Sequence, residues 1–121
     1  MKIKTLDYDF SICKVKDYSQ FNFEGEYFFL SRTDEENSLV CLTENVPDNV
    51  TAHDDGWRAF RIQGILDFSL IGILSKISAL LADNEIGIFV VSTYNTDYIL
   101  TKKEDFEKAL KVLADAGYEM M

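Results

Sequence analysis

Apolar and polar positions alternate with a short period through the first half of the chain and a longer one through the second. Residues 3–6 and 10–15 are short, β-prone segments. Residues 27–33 and 38–43 are two more predicted strands, separated by Asp34-Glu35-Glu36-Asn37, four polar residues that suit a hairpin turn. Between 16 and 25 the pattern is mixed, and 17–21 fits one short helical turn.

The second half is patterned more sharply. Residues 57–63 predict a strand. Residues 68–82 carry Leu70, Ile73, Leu74, Ile77, Leu80 and Leu81 at helical spacing, with Asp67 placed to cap the helix start. Residues 83–85 end that helix. An apolar strand follows at 86–92, a turn at 93–96 and a return strand at 97–101. Residues 102–116 place Phe106, Ala109, Leu110, Val112 and Leu113 on one face of an amphipathic helix, and Gly117 fits the left-handed position past its end. A last short strand is expected at 118–121.

The order over 57–121 is therefore β-α-β-β-α-β. The expected class is α+β, a ferredoxin-like plait with four antiparallel strands and both helices on one face. The polar, turn-rich stretch 44–56 is the candidate boundary, giving a smaller β-rich module over 1–56 and a plait over 57–121.

The helix at 68–82 carries a single charge, Lys76. Its outer positions, Ser69, Gly72, Ser75, Ser78, Ala79 and Ala82, are small and neutral, where a solvent-facing stripe ordinarily favours Glu and Lys. A second packed surface is expected there, with a tolerated neutral surface as the alternative.

Composition narrows the function. The chain has 121 residues, 47% of them hydrophobic and 27% charged, which excludes wholesale disorder. Its net charge of −9 would repel phosphate backbones and anionic lipid, so neither nucleic acid nor membrane is an expected partner. The stretch 68–82 is too short and too polar to span a bilayer. Residues 1–9 lack the apolar core of a secretory signal, so a cytoplasmic location is expected. Cys13 and Cys41 then read as reduced, buried thiols. With two cysteines and one histidine, no zinc site is expected.

Catalytic constellations are scarce. His53 falls in a stretch read as a polar loop beside Asp54 and Asp55, a setting that usually means a solvated side chain. Asp34-Glu35-Glu36 lacks the alternation and glycine of a calcium loop. The segment 64–72 runs from a strand into a helix, so its free amides suit a small carboxylate. The turn from Ser92 to Asp97 is rich in short hydroxyls and ends in a carboxylate. Asp97 there is either a turn-capping residue or an acceptor for a ligand's cation.

Together, Asp67-Phe68-Ser69-Leu70-Ile71-Gly72 and Ser92-Thr93-Tyr94-Asn95-Thr96-Asp97-Tyr98-Ile99-Leu100 resemble the ACT-domain family, which includes the cytosolic arginine sensors of animals and many short bacterial proteins. Phe28-Phe29-Leu30-Ser31-Arg32-Thr33-Asp34-Glu35 and Trp57-Arg58-Ala59-Phe60 resemble the short bacterial members. The resemblance implies an ACT-like domain over 57–121 preceded by a partial ACT-like module. It implies binding of an amino acid or similar zwitterion and a regulatory role exercised through a domain or subunit interface. No nucleophile–base pair is visible in the sequence, so neither catalysis nor a cofactor is expected. Carried over, Asp67, Phe68, Ser69 and Gly72 would supply backbone contacts. Thr93, Tyr94, Thr96 and Asp97 would line the opposite wall, with Asp97 meeting the ligand's cationic end. The arginine sensors hold four such modules in one chain; with at most two here, a complete site implies a homodimer. The alternative is an interaction protein whose plait no longer binds a ligand.

Overall fold

The computed structural model of the chain describes residues 1–63 and 72–121. The strands are β1 (Lys2–Val15), β2 (Phe29–Arg32), β3 (Asn37–Leu42), β4 (Val50–Ile62), β5 (Phe89–Ser92), β6 (Asp97–Lys102) and β7 (Glu119–Met120). The helices are α1 (Ile73–Asp83) and α2 (Lys103–Asp115), and a 3-10 turn covers Thr43–Asn45. The fold is α+β, as expected.

The chain divides into two compact units. Unit 1 comprises Met1–Asp7 and Arg58–Met121; unit 2 is Tyr8–Trp57. Strands β1 and β4 contribute to both. At about 3.3 Å per residue, the 14 residues of β1 extend roughly 46 Å, well beyond an ordinary strand. That length comes from a run free of glycine and proline. The two segments expected at 3–6 and 10–15 are one strand, because Asp7, Tyr8 and Asp9 are exposed without breaking the extended backbone.

In unit 1 the strand order is β7-β1-β4-β6-β5. The expected sheet of four antiparallel strands is corrected to five among the described residues. Lys2 to Asp7 of β1 lies between β7 and β4: it pairs in parallel with β7, Lys2 opposite Glu119, and its Lys2 carbonyl accepts from the Gln63 amide at 2.9 Å. Ile3, Phe60, Ile62 and Ile99 of the sheet meet Ile77 and Leu81 of α1 and Phe106, Ala109 and Leu113 of α2 in one core.

Helix α1 begins after Gly72, which holds φ +87°. It ends at Asn84, whose side-chain amide donates to the Leu80 carbonyl at 2.8 Å. Glu85 then takes φ +60°, and the Ile86 amide returns to the Leu81 carbonyl at 2.9 Å, a Schellman closure. Gly117 performs the left-handed step after α2, as its position predicts. Of the small outer residues of α1, Ser75, Ala79 and Ala82 are exposed.

In unit 2 the order is β2-β3-β1-β4. Phe10 pairs with Leu42 and Val15 with Asn37 in the antiparallel β1–β3 ladder. Val15, Phe21 and Leu39 form the core with Cys13 and Cys41, which are free, buried thiols. The turn expected at 17–21 is present as one bond, from the Phe21 amide to the Tyr18 carbonyl at 3.2 Å. The stretch read as turn-rich at 44–56 splits instead: β4 starts at Val50 and carries His53, Asp54 and Asp55 within a strand.

Candidate functional site

The hairpin β5–β6 carries one part of the expected site. Ser92 pairs with Asp97, which closes the turn at 93–96. The Thr93 amide donates to the Thr96 carbonyl at 2.8 Å, and the Thr93 hydroxyl donates to the same oxygen at 3.0 Å. Both bonds stay local and fix the turn.

Thr96 ties that turn to another strand. Its side chain is buried, and its hydroxyl donates to the Ile62 carbonyl at 2.7 Å. Ile62 ends β4, immediately before the segment that leads to α1. The bond therefore holds the hydroxyl-rich turn beside the exit of β4.

Asp97 is half-buried and accepts from the Ser92 hydroxyl at 2.6 Å. A carboxylate accepts about four hydrogen bonds. Among the described residues Ser92 is the one side-chain donor it has, which leaves room for a cation. Tyr94 stands at the tip of the turn and is 80% exposed. Thr93 is exposed as well. The Thr96 hydroxyl is committed to the Ile62 carbonyl.

Gly72 caps α1 without a side-chain hydrogen bond to the first turn. The Lys76 amide bonds back to the Gly72 carbonyl at 2.9 Å, so the amides of Ile73, Leu74 and Ser75 lie ahead of the helical ladder. Asp67, Phe68 and Ser69 lie outside the described residues, as does Asp67's expected capping of the helix.

Three residues near the exit of β4 were not singled out from the sequence. Arg61 donates to the Gln63 side-chain oxygen at 3.1 Å and to the Tyr98 hydroxyl at 3.3 Å, and its guanidinium lies 5.9 Å from the centre of the Tyr98 ring. The signal was an Arg inside a predicted strand, two residues from its end.

Unit 2 carries a separate polar cluster. The Ser11 hydroxyl donates to Asp55 at 2.5 Å, and the His53 Nδ1 proton is shared with the same carboxylate oxygen at 3.0 Å. That bond is the main cause holding the His53 pKa above its ordinary value. The thiol of Cys41 bonds Cys13, which lowers the Cys13 pKa and pushes that of Cys41 up. Among the described residues no group of three or more His, Cys, Asp or Glu side chains could hold a metal ion.

Comparisons with known proteins bear on the family and the fold. Residues 52–115 match the ACT domain. The solved structure of Atu0741 from Agobacterium tumefaciens is 35% identical over 99% of this chain and 91% of its own, with a TM-score of 0.87. Two structures share the fold at lower identity. Aspartate kinase of Clostridium acetobutylicum, an allosteric enzyme, is 16% identical over 94% of this chain and 33% of its own, at a TM-score of 0.64. The ligand-free regulatory subunit of aspartate kinase from Thermus thermophilus is 10% identical over 97% of both chains, at 0.63. No curated protein matches the chain.

Proposed function

The chain belongs to the ACT-domain family, and on that premise we propose that it is a regulatory module whose effector is an amino acid or similar zwitterion. The observation that carries the reading is the Thr96–Ile62 bond, which sets the turn bearing Asp97 beside the end of β4. Asp97 takes the effector's cation, as the resemblance to the arginine sensors implies. The effector's carboxylate goes to the first-turn amides of α1, where the helix dipole favours an anion. Asp67, Phe68 and Ser69 supply further contacts, and Thr93 and Tyr94 face outward to a second copy that completes the site.

The small, exposed residues Ser75, Ala79 and Ala82 of α1 fit that homodimer, because they permit close backbone approach. An effector held between copies would change their association, and that change is the regulatory output. The chain then acts on a partner rather than through chemistry of its own. Unit 2 serves as a reduced ACT-like module whose helical positions are taken by the loop at 16–28 and the turn Thr43–Asn45.

A thermal-shift screen of the twenty amino acids tests this. An effector at ~100 times its dissociation constant adds ~2.7 kcal/mol to stability, a clear rise in melting temperature. Light scattering with and without that amino acid reads the assembly. Twenty flat curves at millimolar concentration would sink the effector reading and leave the interaction-protein alternative.

A further inference from the structure

Strand β2 is an edge strand: among the described residues it pairs with β3 alone. Its register fixes which backbone groups are open. The Thr33 amide bonds the Glu36 carbonyl, so Thr33 and Glu36 form a hydrogen-bonded pair, and by the alternation of antiparallel ladders so do Ser31 with Ser38 and Phe29 with Val40. Leu30 and Arg32 therefore aim their N–H and C=O groups away from the sheet.

The surroundings of that edge are unusual. Leu30 is 38% exposed and Phe23 53% exposed. Phe23 stacks edge-on against Phe28 at 5.8 Å, and Phe28 leads directly into β2, so an apolar ledge stands at the start of the open strand. Exposed carboxylates stand before β2 at Glu24 and Glu26 and after it at Asp34, Glu35 and Glu36. Unit 2 holds eleven acidic side chains against three Lys or Arg. The matching edge of unit 1, β5, has the neutral turn Tyr94-Asn95 in place of Asp34-Glu35.

We propose that the β2 edge is a docking site for an extended basic segment of another protein, one that alternates Lys or Arg with apolar residues. Such a segment adds a strand by bonding Leu30 and Arg32, lays its apolar side chains on the Phe23–Leu30 ledge and its cations among the carboxylates. A second copy of this chain is a poor occupant, since the same carboxylates would meet across a two-fold pairing. The inference does not rest on the effector reading.

The probe is a fluorescein-labelled peptide of four Lys-Val repeats with blocked ends, followed by anisotropy. Saturable binding is expected. The same peptide with its valine amides methylated, which cannot donate to a strand, should bind at least about tenfold more weakly. Leu30→Pro removes an outward N–H and no ladder bond, so it is compatible with an edge strand and should cause a similar loss. Glu35→Lys with Glu36→Lys should weaken binding as well. Should Leu30→Pro fail to fold, the methylated peptide makes the same comparison on the unaltered protein. Absence of saturable binding, equal affinity for the methylated peptide, or affinity untouched by the Glu35 and Glu36 changes would overturn the proposal. So would concentration-dependent self-association abolished by Leu30→Pro, which would give the edge to a second copy.

Discussion

Thr33 and Thr93 stand sixty residues apart and close their hairpins with the same bond. Each amide donates to the carbonyl three residues on, at 3.0 and 2.8 Å, and each hydroxyl accepts from an amide inside its own turn. The strand spans repeat at the same offset: Phe29–Arg32 with Phe89–Ser92, and Asn37–Leu42 with Asp97–Lys102. What differs is the position after the turn. Asn37 gives its side-chain amide to the Lys16 carbonyl at 2.9 Å, while Asp97 offers a carboxylate.

Replacing Asp97 with Asn keeps the shape and removes the charge. Binding of the amino acid found by screening should weaken by ~1–3 kcal/mol, the range for a lost charge-assisted hydrogen bond, as read by calorimetry. An unchanged affinity would return Asp97 to a turn-capping role.

Thr96→Val removes the hydroxyl that bonds Ile62 while keeping the branched shape. The Ile62 carbonyl loses its donor within the core of unit 1, so stability should fall by roughly 1–3 kcal/mol in urea unfolding. Thr96→Ser retains the hydroxyl and should recover most of the loss. Effector affinity should drop in the Val variant too, because the turn loses its anchor.

Glu85 is a left-handed residue that has a Cβ, at φ +60°. Glu85→Gly relieves the steric cost, ~1–2 kcal/mol for an L-residue there, and loses part of that gain to a freer unfolded chain. A net rise of about 0.5–1 kcal/mol in unfolding free energy is expected, read from the shift of the denaturation midpoint. A fall would mean the Glu85 side chain holds a contact worth more than the strain.

His53 links stability to pH. Its folded pKa is raised above the ordinary 6.5, first by the hydrogen bond to Asp55 and then by that residue's charge. The contribution is therefore fully present below the unfolded value and is lost as pH rises through the folded one. Melting temperatures of the protein and of His53→Gln should converge between pH 6 and alkaline pH. A gap that widened on that path would reverse the sign of the coupling.

The elements most legible in the sequence were those whose signals are local. Phe106, Ala109 and Leu113 recur at helical spacing and are buried in α2; the hairpin turns are short polar breaks between apolar runs. The course of β4 was hidden, because His53-Asp54-Asp55-Gly56 has the composition of a loop. Those side chains are exposed, and Gly56 supplies a left-handed step inside the strand, φ +83°. The Thr96–Ile62 bond was equally hidden: nothing in either residue announces a partner 34 positions away. The sixty-residue repeat was present but faint, since the two hairpins share little beyond Phe29 with Phe89 and Thr33 with Thr93.

Sharing β1 between the units gives the chain an order of assembly on the ribosome. All strands of unit 2 exist once Trp57 has been made. Ile3 is completely buried in the finished fold, yet its parallel partner Met120 lies 117 residues further along the chain. At synthesis rates of ~5–20 residues per second, Ile3 waits on the order of 10 s for that neighbour. Residues 2–7 are thus translated ahead of all of unit 2 and reach their native place after it.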